Sequence, residues 1–159
     1  MKRLFDKKES WSNKKRKEVQ DELLAGMVKL GYKKSATIKK IFDKHKINPK
    51  LIKSREDLEA LPVTSREKLV EMEIQNPPYA GLENPSIKID RIFTSPGPVY
   101  EPHLSDNDYL WARAFHAASI SADDIALNAF SYHLVAAGLT FHTGLRKTGA
   151  TVVPSGASS

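Results

Sequence analysis

The sequence predicts an α/β fold in which a helical front precedes the start of a parallel sheet. Ile125–Phe130 is an almost continuous apolar run, which is typical of a strand buried on both faces of a parallel sheet. Leu134–Lys147 has the length and apolar spacing of a helix, and Gly149 stands where a helix end favours glycine. Ala150–Pro154 then reads as a second strand that a proline closes. Strand, helix and strand together predict a right-handed βαβ unit.

This unit stands at the very end of the chain, because only five residues follow Pro154. A βαβ unit belongs to a sheet of several parallel strands. We therefore expect the chain to be the front part of a larger domain. Within it, residues 1–85 are expected to form a helical N-terminal segment, and residues 86–159 the first part of the α/β domain.

The front segment is predicted to contain two amphipathic helices, at about 13–30 and 34–45, joined at Gly31-Tyr32. The first helix has one apolar stripe, and the second has another; their members are Val19, Leu23, Met27 and Leu30, and then Ile38, Ile41 and Phe42. Two helix-start signatures follow, Ser54 with Asp57 and Thr64 with Glu67.

The second segment is predicted to open with a strand over Ile87–Thr94. Ser95–Pro102, which contains three prolines, is expected to break that strand. Ser105 with Asp108 then starts a helix. Its apolar face is expected to consist of Leu110, Ala114 and Ala118, flanked by Trp111 and Phe115.

Charge is distributed unevenly along the chain, whose net charge is +6. Residues 1–53 carry 17 Lys and Arg against 6 Asp and Glu, whereas the rest carry 8 against 13. A basic arm for nucleic acid or an anionic surface is one interpretation. We favour a solvated helical face, since no arginine–aromatic interleaving suited to stacking bases is present.

Other features exclude several classes of protein. The chain has no cysteine, so it has neither a disulfide framework nor a thiolate metal site. No apolar run approaches the length of a membrane span, and the N-terminus lacks the apolar stretch of a secretory signal. A cytoplasmic protein that does not enter the membrane is the plain expectation.

Two motifs carry a family resemblance. Asn128–Pro154 begins Asn-Ala-Phe-Ser-Tyr-His and ends Gly-Ala-Thr-Val-Val-Pro. It resembles the stretch of phenylacetate–coenzyme A ligases in which Asn-Ala-Tyr-Gly-Tyr-Gly leads to Gly-Ala-Thr-Val-Ile-Pro. Ile52–Val70, with its Leu-Pro-Val-Thr turn, is similar to a second hallmark of that family. The resemblance spans roughly residues 33–159 and implies the N-terminal third of an adenylate-forming (AMP-binding) ligase.

The resemblance also implies an ATP phosphate loop after the first strand. Ligases of this family have Ser-Ser-Gly-Thr-Thr-Gly-Lys-Pro there, and the aligned stretch here is Ser95–Pro102. Ser95 and Gly97 agree with the pattern, but Glu101 takes the place of the lysine. The segment is thus a divergent phosphate loop, a loop that no longer binds ATP in the usual way, or a rigid proline turn.

The acid-binding pocket is implied at the end of the buried strand. Phe130, Tyr132 and His133 match the aromatic segment of the family, and ligands of open α/β sheets bind beyond the carboxyl ends of strands. Ala137 and Gly138 are small enough to let a flat ring lie against the helix. The alternatives are ordinary core aromatics and close helix–sheet packing.

No catalytic residue and no metal site is predicted from this sequence. His103 and His116 lack a carboxylate at ligand spacing, and His133 and His142 are nine residues apart, on different faces of one helical segment. His142 is interpreted as a packed or hydrogen-bonded helix residue. Ser131 lies in no Gly-x-Ser-x-Gly elbow.

By resemblance, the full-length enzyme would activate a small carboxylic acid with ATP and Mg and transfer it to coenzyme A, and it could form a homodimer. The chain alone is expected to be inactive, because the family's downstream motifs are absent from it. The alternative is a non-catalytic binding or interaction module derived from that family.

Overall fold

The computed structural model describes residues 4–104 and 109–157, which form two compact units. One unit is Lys7–Lys88. The other contains the chain from Ile89 onwards together with the N-terminal residues up to Asp6.

The first unit is helical. Its helices are a 3₁₀ turn Lys7–Ser10, α1 Asn13–Lys34, α2 Ala36–Lys44, a second 3₁₀ helix Glu56–Ala60 and α3 Arg66–Gln75. Both predicted front helices are present, but α1 continues through the predicted junction at Gly31-Tyr32. The chain turns at buried Ser35, whose N–H donates to the Gly31 carbonyl and whose Oγ accepts from the Ile38 N–H. Ser35 therefore ends one helix and caps the next.

The predicted apolar stripe of α1 is only partly its packed face. Leu23, Met27 and Leu30 are exposed, Met27 to 71%. The residues of α1 that line a cleft with α2 are Leu24, Val28 and Gly31, each one position after a member of the predicted stripe, together with Met27 from the stripe itself. The prediction is thus only partly right, because α1 is apolar on two adjacent sides and periodicity alone does not select between them.

The two predicted helix starts differ in detail from the structure. Ser65, and not Thr64, caps α3, because its Oγ accepts from the Lys68 N–H at 3.2 Å. Before the second 3₁₀ helix, the Asp57 carboxylate accepts from the backbone N–H groups of Lys53 and Ser54, each at 2.9 Å. The carboxylate thus ties this turn together.

In its described residues, the second unit contains two small sheets and two helices. Strands β1 Arg91–Ser95 and β2 Val99–His103 pair antiparallel, and β3 Ile125–Leu127 and β4 Thr151–Val153 pair parallel; the helices are α4 Tyr109–Ala117 and α5 Ala136–Thr148. The predicted βαβ unit is confirmed as β3, α5 and β4. The first strand does end at Ser95, within the stretch expected to break it, but that stretch also contains most of β2, the second strand of a hairpin. The predicted helix start at Ser105 and Asp108 lies outside the described residues.

Helices α4 and α5 approach each other closely at Gly144. A Cβ on Gly144 would lie 2.6 Å from the Trp111 Cβ, so only glycine fits there. The packed face of α4 contains fully buried Ala112, whereas Leu110 and Ala114 are exposed. The predicted apolar face of α4 is therefore wrong, because the close helix contact selects the side that carries small Ala112.

Strand β3 is exposed to an unusual degree for a parallel strand. Ile125 and Leu127 are 75% and 68% exposed, and each strand of this sheet has one neighbour among the described residues. Burial on both faces, which the apolar run predicts, is thus not achieved within the described chain. Parallel sheets are normally covered on both faces.

Candidate functional site

The carboxyl ends of β3 and β4 meet at Asn128. The Asn128 N–H donates to the Val153 carbonyl at 2.9 Å, which extends the pairing by one residue past β3. Its carbonyl accepts from the Gly156 N–H at 3.1 Å and from the Ser155 hydroxyl at 3.3 Å. This edge is where open α/β sheets bind their ligands.

The side chain of Asn128 organises the loop that follows β3. It is 3% exposed, and its Nδ2 donates to the Tyr132 hydroxyl at 2.7 Å and to the Gly138 carbonyl at 2.9 Å. Its Oδ1 accepts from the Phe130 N–H at 3.3 Å, as in an Asx turn. Asn128 was not among the predicted site residues. An asparagine directly after an apolar strand is a turn signal that indicates this role.

Tyr132 and His142 lie against each other across the loop and α5. The Tyr132 hydroxyl is 3.2 Å from His142 Nδ1, and the two rings are edge to face. A Cβ on Gly156 would lie 3.9 Å from Tyr132 Cδ2, which places the Tyr132 ring beside the turn after β4. The interpretation of His142 as a hydrogen-bonded helix residue is confirmed.

The remaining residues of the predicted acid site lie around this loop. His133 is exposed, and its N–H donates to the Ser131 hydroxyl at 3.3 Å. The Gly138 N–H donates to the Ser131 carbonyl at 3.1 Å, and a Cβ on Gly138 would lie 2.1 Å from that oxygen. The space beside Gly138 is therefore filled by the loop, and Ala137 next to it is half-buried.

Phe130 and Asn128 border an apolar pocket of about 520 Å³. Phe130 packs edge to face on Phe141, with ring centroids 4.8 Å apart, and Phe141 packs on Trp111 at 4.3 Å. Other residues that line the pocket are Phe115, Ile120, Ala126, Leu127, Ala129 and Leu145. Sequence reasoning missed Phe115 and Phe141 as pocket residues, since they come from two separate helices.

The predicted phosphate residues lie on the β1–β2 hairpin. Ser95 pairs with Val99, so Gly97 is at the tip, with φ of 150°, between two prolines that have no N–H. Glu101 lies further along β2, opposite buried Phe93, and is exposed. The three predicted residues share one hairpin but do not surround a common point at its tip.

This hairpin is attached to the loop of the acid site. The Thr94 N–H donates to the Leu134 carbonyl at 2.9 Å, which links β1 to the segment that precedes α5. A ligand held at the carboxyl edge of β3 and β4 would therefore lie on the same unit as the hairpin.

The described part of the chain offers no other obvious chemistry. Within residues 4–104 and 109–157, no three His, Asp or Glu side chains cluster in a way that could hold a metal ion. None of the helices in those residues has the length and apolarity that a bilayer crossing requires.

The fold matches solved coenzyme A ligases. A crystal structure of 2-hydroxyisobutyryl-CoA ligase in the postadenylation state with 2-HIB-AMP superposes with a TM-score of 0.83 at 18% identity, covering 91% of this chain and 32% of that one. The same ligase with 2-HIB-AMP and CoA in the thioesterification state also gives 0.83, covering 94% and 34%. The chain thus has the fold of part of an adenylate-forming CoA ligase.

In sequence, the chain is similar to phenylacetate-coenzyme A ligases. The chain is 32% identical over 145 residues to the phenylacetate-coenzyme A ligase of Aromatoleum evansii, covering 86% of this chain and 32% of the relative. The enzyme of the same name from Thermus thermophilus is 27% identical over 154 residues, covering 92% and 34%. No family model matches the chain. The predicted resemblance is confirmed: the chain is related in sequence to phenylacetate–coenzyme A ligases over most of its own length, and it spans about a third of theirs.

Proposed function

We propose that this chain forms the acid-binding side of an AMP-forming carboxylate–coenzyme A ligase. A protein of the relatives' length would activate a carboxylic acid with Mg·ATP, release pyrophosphate and transfer the acyl group to coenzyme A. The observation that carries the proposal is the position of the Phe130–Tyr132 segment. It lies at the carboxyl edge of β3 and β4, within the stretch that resembles the phenylacetate-CoA ligases.

The chemistry of the site favours an acid with an apolar or aromatic side. Phe130 presents an exposed ring beside the apolar pocket, and Tyr132 lies at the strand ends. Apolar walls with few polar groups are typical of small-molecule sites. The proposed acid-binding segment also includes His133, Ala137 and Gly138. The role of Gly138 is indirect: because it has no Cβ, the loop after β3 can pack against α5.

The hairpin is a poor fit for a polyphosphate. Of residues 96–98 only Gly97 has an N–H to offer, and the Glu101 carboxylate would repel the phosphates. Ser95 could donate a hydroxyl, yet one hydroxyl and one amide do not form a phosphate nest. No catalytic residue for acyl transfer is assigned to the chain, and alone it should not form an acyl adenylate.

The acid-binding proposal is tested by titrating the chain with phenylacetate while recording amide NMR spectra. Shifts are expected to concentrate at Phe130, Tyr132 and their neighbours. Tyr132→Ala should weaken phenylacetate binding more than Mg·ATP binding, whereas Tyr100→Ala, on the hairpin, is the matched control and should leave phenylacetate binding unchanged. Shifts that avoid the loop after β3, or none at all, would overturn the proposal.

A second candidate is a non-catalytic binding or interaction module derived from the same family. The altered hairpin, with Pro96, Pro98 and Glu101, is the specific observation that favours it. A ligand that binds only the folded state raises the melting temperature. A module of this kind should show no thermal shift with phenylacetate or with Mg·ATP, whereas the acid-binding proposal requires a thermal shift with phenylacetate.

A further inference from the structure

The buried amide of Asn128 has a determined orientation. One atom of its terminal amide lies 2.9 Å from the Gly138 carbonyl, which can only accept, so this atom is Nδ2. The other lies 3.3 Å from the Phe130 N–H, which can only donate, so it is Oδ1. The second hydrogen of Nδ2 is directed to the Tyr132 hydroxyl at 2.7 Å. The Tyr132 oxygen therefore accepts a hydrogen bond from Asn128.

The Tyr132 hydroxyl oxygen lies 3.2 Å from His142 Nδ1, which is therefore within reach as an acceptor of the hydroxyl hydrogen. A neutral imidazole carries its proton on one nitrogen and accepts on the other. Donation from Tyr132 requires that Nδ1 be the unprotonated nitrogen and that Nε2 carry the hydrogen. In that tautomer, Asn128, Tyr132 and His142 form a directed chain of hydrogen bonds.

We propose that Asn128 and His142 are positioning residues that fix Tyr132 for acid recognition. Because its hydroxyl is already donated to His142, Tyr132 cannot donate to the carboxylate of an acid. The ring of Tyr132 is what meets the ligand, so this position selects an aryl or apolar group, and the carboxylate is bound elsewhere. This inference rests on the proposed acid-binding function.

The first test is the tautomer of His142, which needs no ligand. Nitrogen-15 NMR of the imidazole distinguishes protonated from unprotonated ring nitrogens. We expect Nδ1 to be unprotonated and Nε2 protonated in the native chain, and Tyr132→Phe to abolish this preference. A protonated Nδ1 in the neutral ring would overturn the positioning inference and leave the acid-binding proposal intact.

The second test separates positioning from direct contact with the acid. His142→Asn keeps an acceptor at the δ position, whereas His142→Leu removes it. Losing one hydrogen bond costs about 1 kcal/mol, so His142→Leu should weaken phenylacetate binding by about five-fold, and His142→Asn by less than about two-fold. The Tyr132 ring carbon that bears the hydroxyl should change its chemical shift in His142→Leu only.

The Tyr132→Phe background supplies the decisive comparison. If His142 acts through the hydroxyl, His142→Leu should have no further effect on phenylacetate binding once that hydroxyl is gone. Independent, additive losses would contradict the positioning role. Failure of the native chain to bind phenylacetate, with the expected tautomer present, would instead overturn the acid-binding proposal and the specificity assigned to Tyr132.

Discussion

Single glycines determine how closely α5 of the βαβ unit approaches the segments around it. Gly138 lets the loop after β3 lie on the first turn of α5, and Gly144 lets α4 lie on its middle. Both glycines are buried within a helix, where the residue otherwise lowers stability relative to alanine. Their cost is offset by the contacts that a missing Cβ permits.

Gly138→Ala should destabilise the second unit, because the new methyl group would overlap the Ser131 carbonyl oxygen. Overpacking of this kind costs about 1–3 kcal/mol of unfolding free energy. Gly26→Ala is the matched control, since nothing lies within 4 Å of its Cβ position in α1, and it should stabilise by up to about 1 kcal/mol. Urea denaturation measures both, and equal effects would contradict the packing role of Gly138.

Glu101 is the residue whose charge most opposes phosphate binding by the hairpin. Glu101→Lys restores the residue type of the family loop and should raise the affinity for Mg·ATP, which isothermal calorimetry measures. Glu101→Gln removes the charge without reversing it and should give an intermediate gain. A loss of ATP affinity in both variants would instead assign the carboxylate a functional role.

Prolines explain why the hairpin was harder to predict than the βαβ unit. In the βαβ unit, the local sequence patterns predict the same elements that the fold contains: apolar runs for the strands β3 and β4, and helical spacing for α5. In Ser95–Pro102 the prolines predict a broken strand. Because β2 pairs only with β1 among the described strands, Pro102 is tolerated at an edge where no ladder donor is needed.

The cap of α3 gives a test at the level of one element. Ser65→Ala removes the hydroxyl that accepts from the Lys68 N–H and should cost about 1 kcal/mol of unfolding free energy. Thr64→Ala, one residue earlier, should change stability much less. Urea denaturation of the two variants distinguishes them, and a larger effect at Thr64 would restore the original cap prediction.

The second 3₁₀ helix should make the first unit sensitive to acid. The pKa of Glu56 is lowered from 4.5 to about 2 by a hydrogen bond from the backbone N–H of Glu56 itself, and further by hydrogen bonds from the side chains of Lys17 and Ser54. A depressed folded pKa contributes stability above the unfolded pKa, and that contribution is lost as pH falls from about 4.5 to about 2. Glu56→Gln should flatten the dependence of stability on pH in that window.

Salt provides the control for this pH effect. Both side chains of the Lys17–Glu56 ion pair are exposed to solvent, so added salt should screen their attraction. Salt should therefore reduce the difference in stability between the native chain and Glu56→Gln. Thermal unfolding measures stability as a function of pH in the native chain and in the variant. If the two profiles are identical, the protonation of Glu56 is not linked to folding.

At the scale of the whole molecule, sequence pattern identified the elements better than their packed faces. Exposed Leu23 and Met27 on α1, and Ile125 and Leu127 on β3, are apolar residues that the described chain does not cover. Periodicity reports which residues favour burial and not which neighbour buries them. The aromatic segment Phe130–His133 was proposed from the family resemblance and from its place after an apolar strand. For Asn128 the sequence offers only a turn signal, because its contact with the Gly138 carbonyl joins residues 10 positions apart.

The open parallel sheet agrees with the length of the relatives, of which this chain spans about a third. Two parallel strands with one neighbour each are marginal alone, and exposed strand edges favour pairing with further strands.

The most direct test is a segment exchange in the phenylacetate-coenzyme A ligase of Aromatoleum evansii. Residues 125–154 of this chain would replace the matched segment, with the Thermus thermophilus segment exchanged in parallel as the control. We predict that the exchange retains phenylacetate-dependent formation of a coenzyme A thioester and that Tyr132→Ala in it raises KM for phenylacetate. A folded exchange that is inactive, beside an active control, would contradict the assignment of this unit to acid binding.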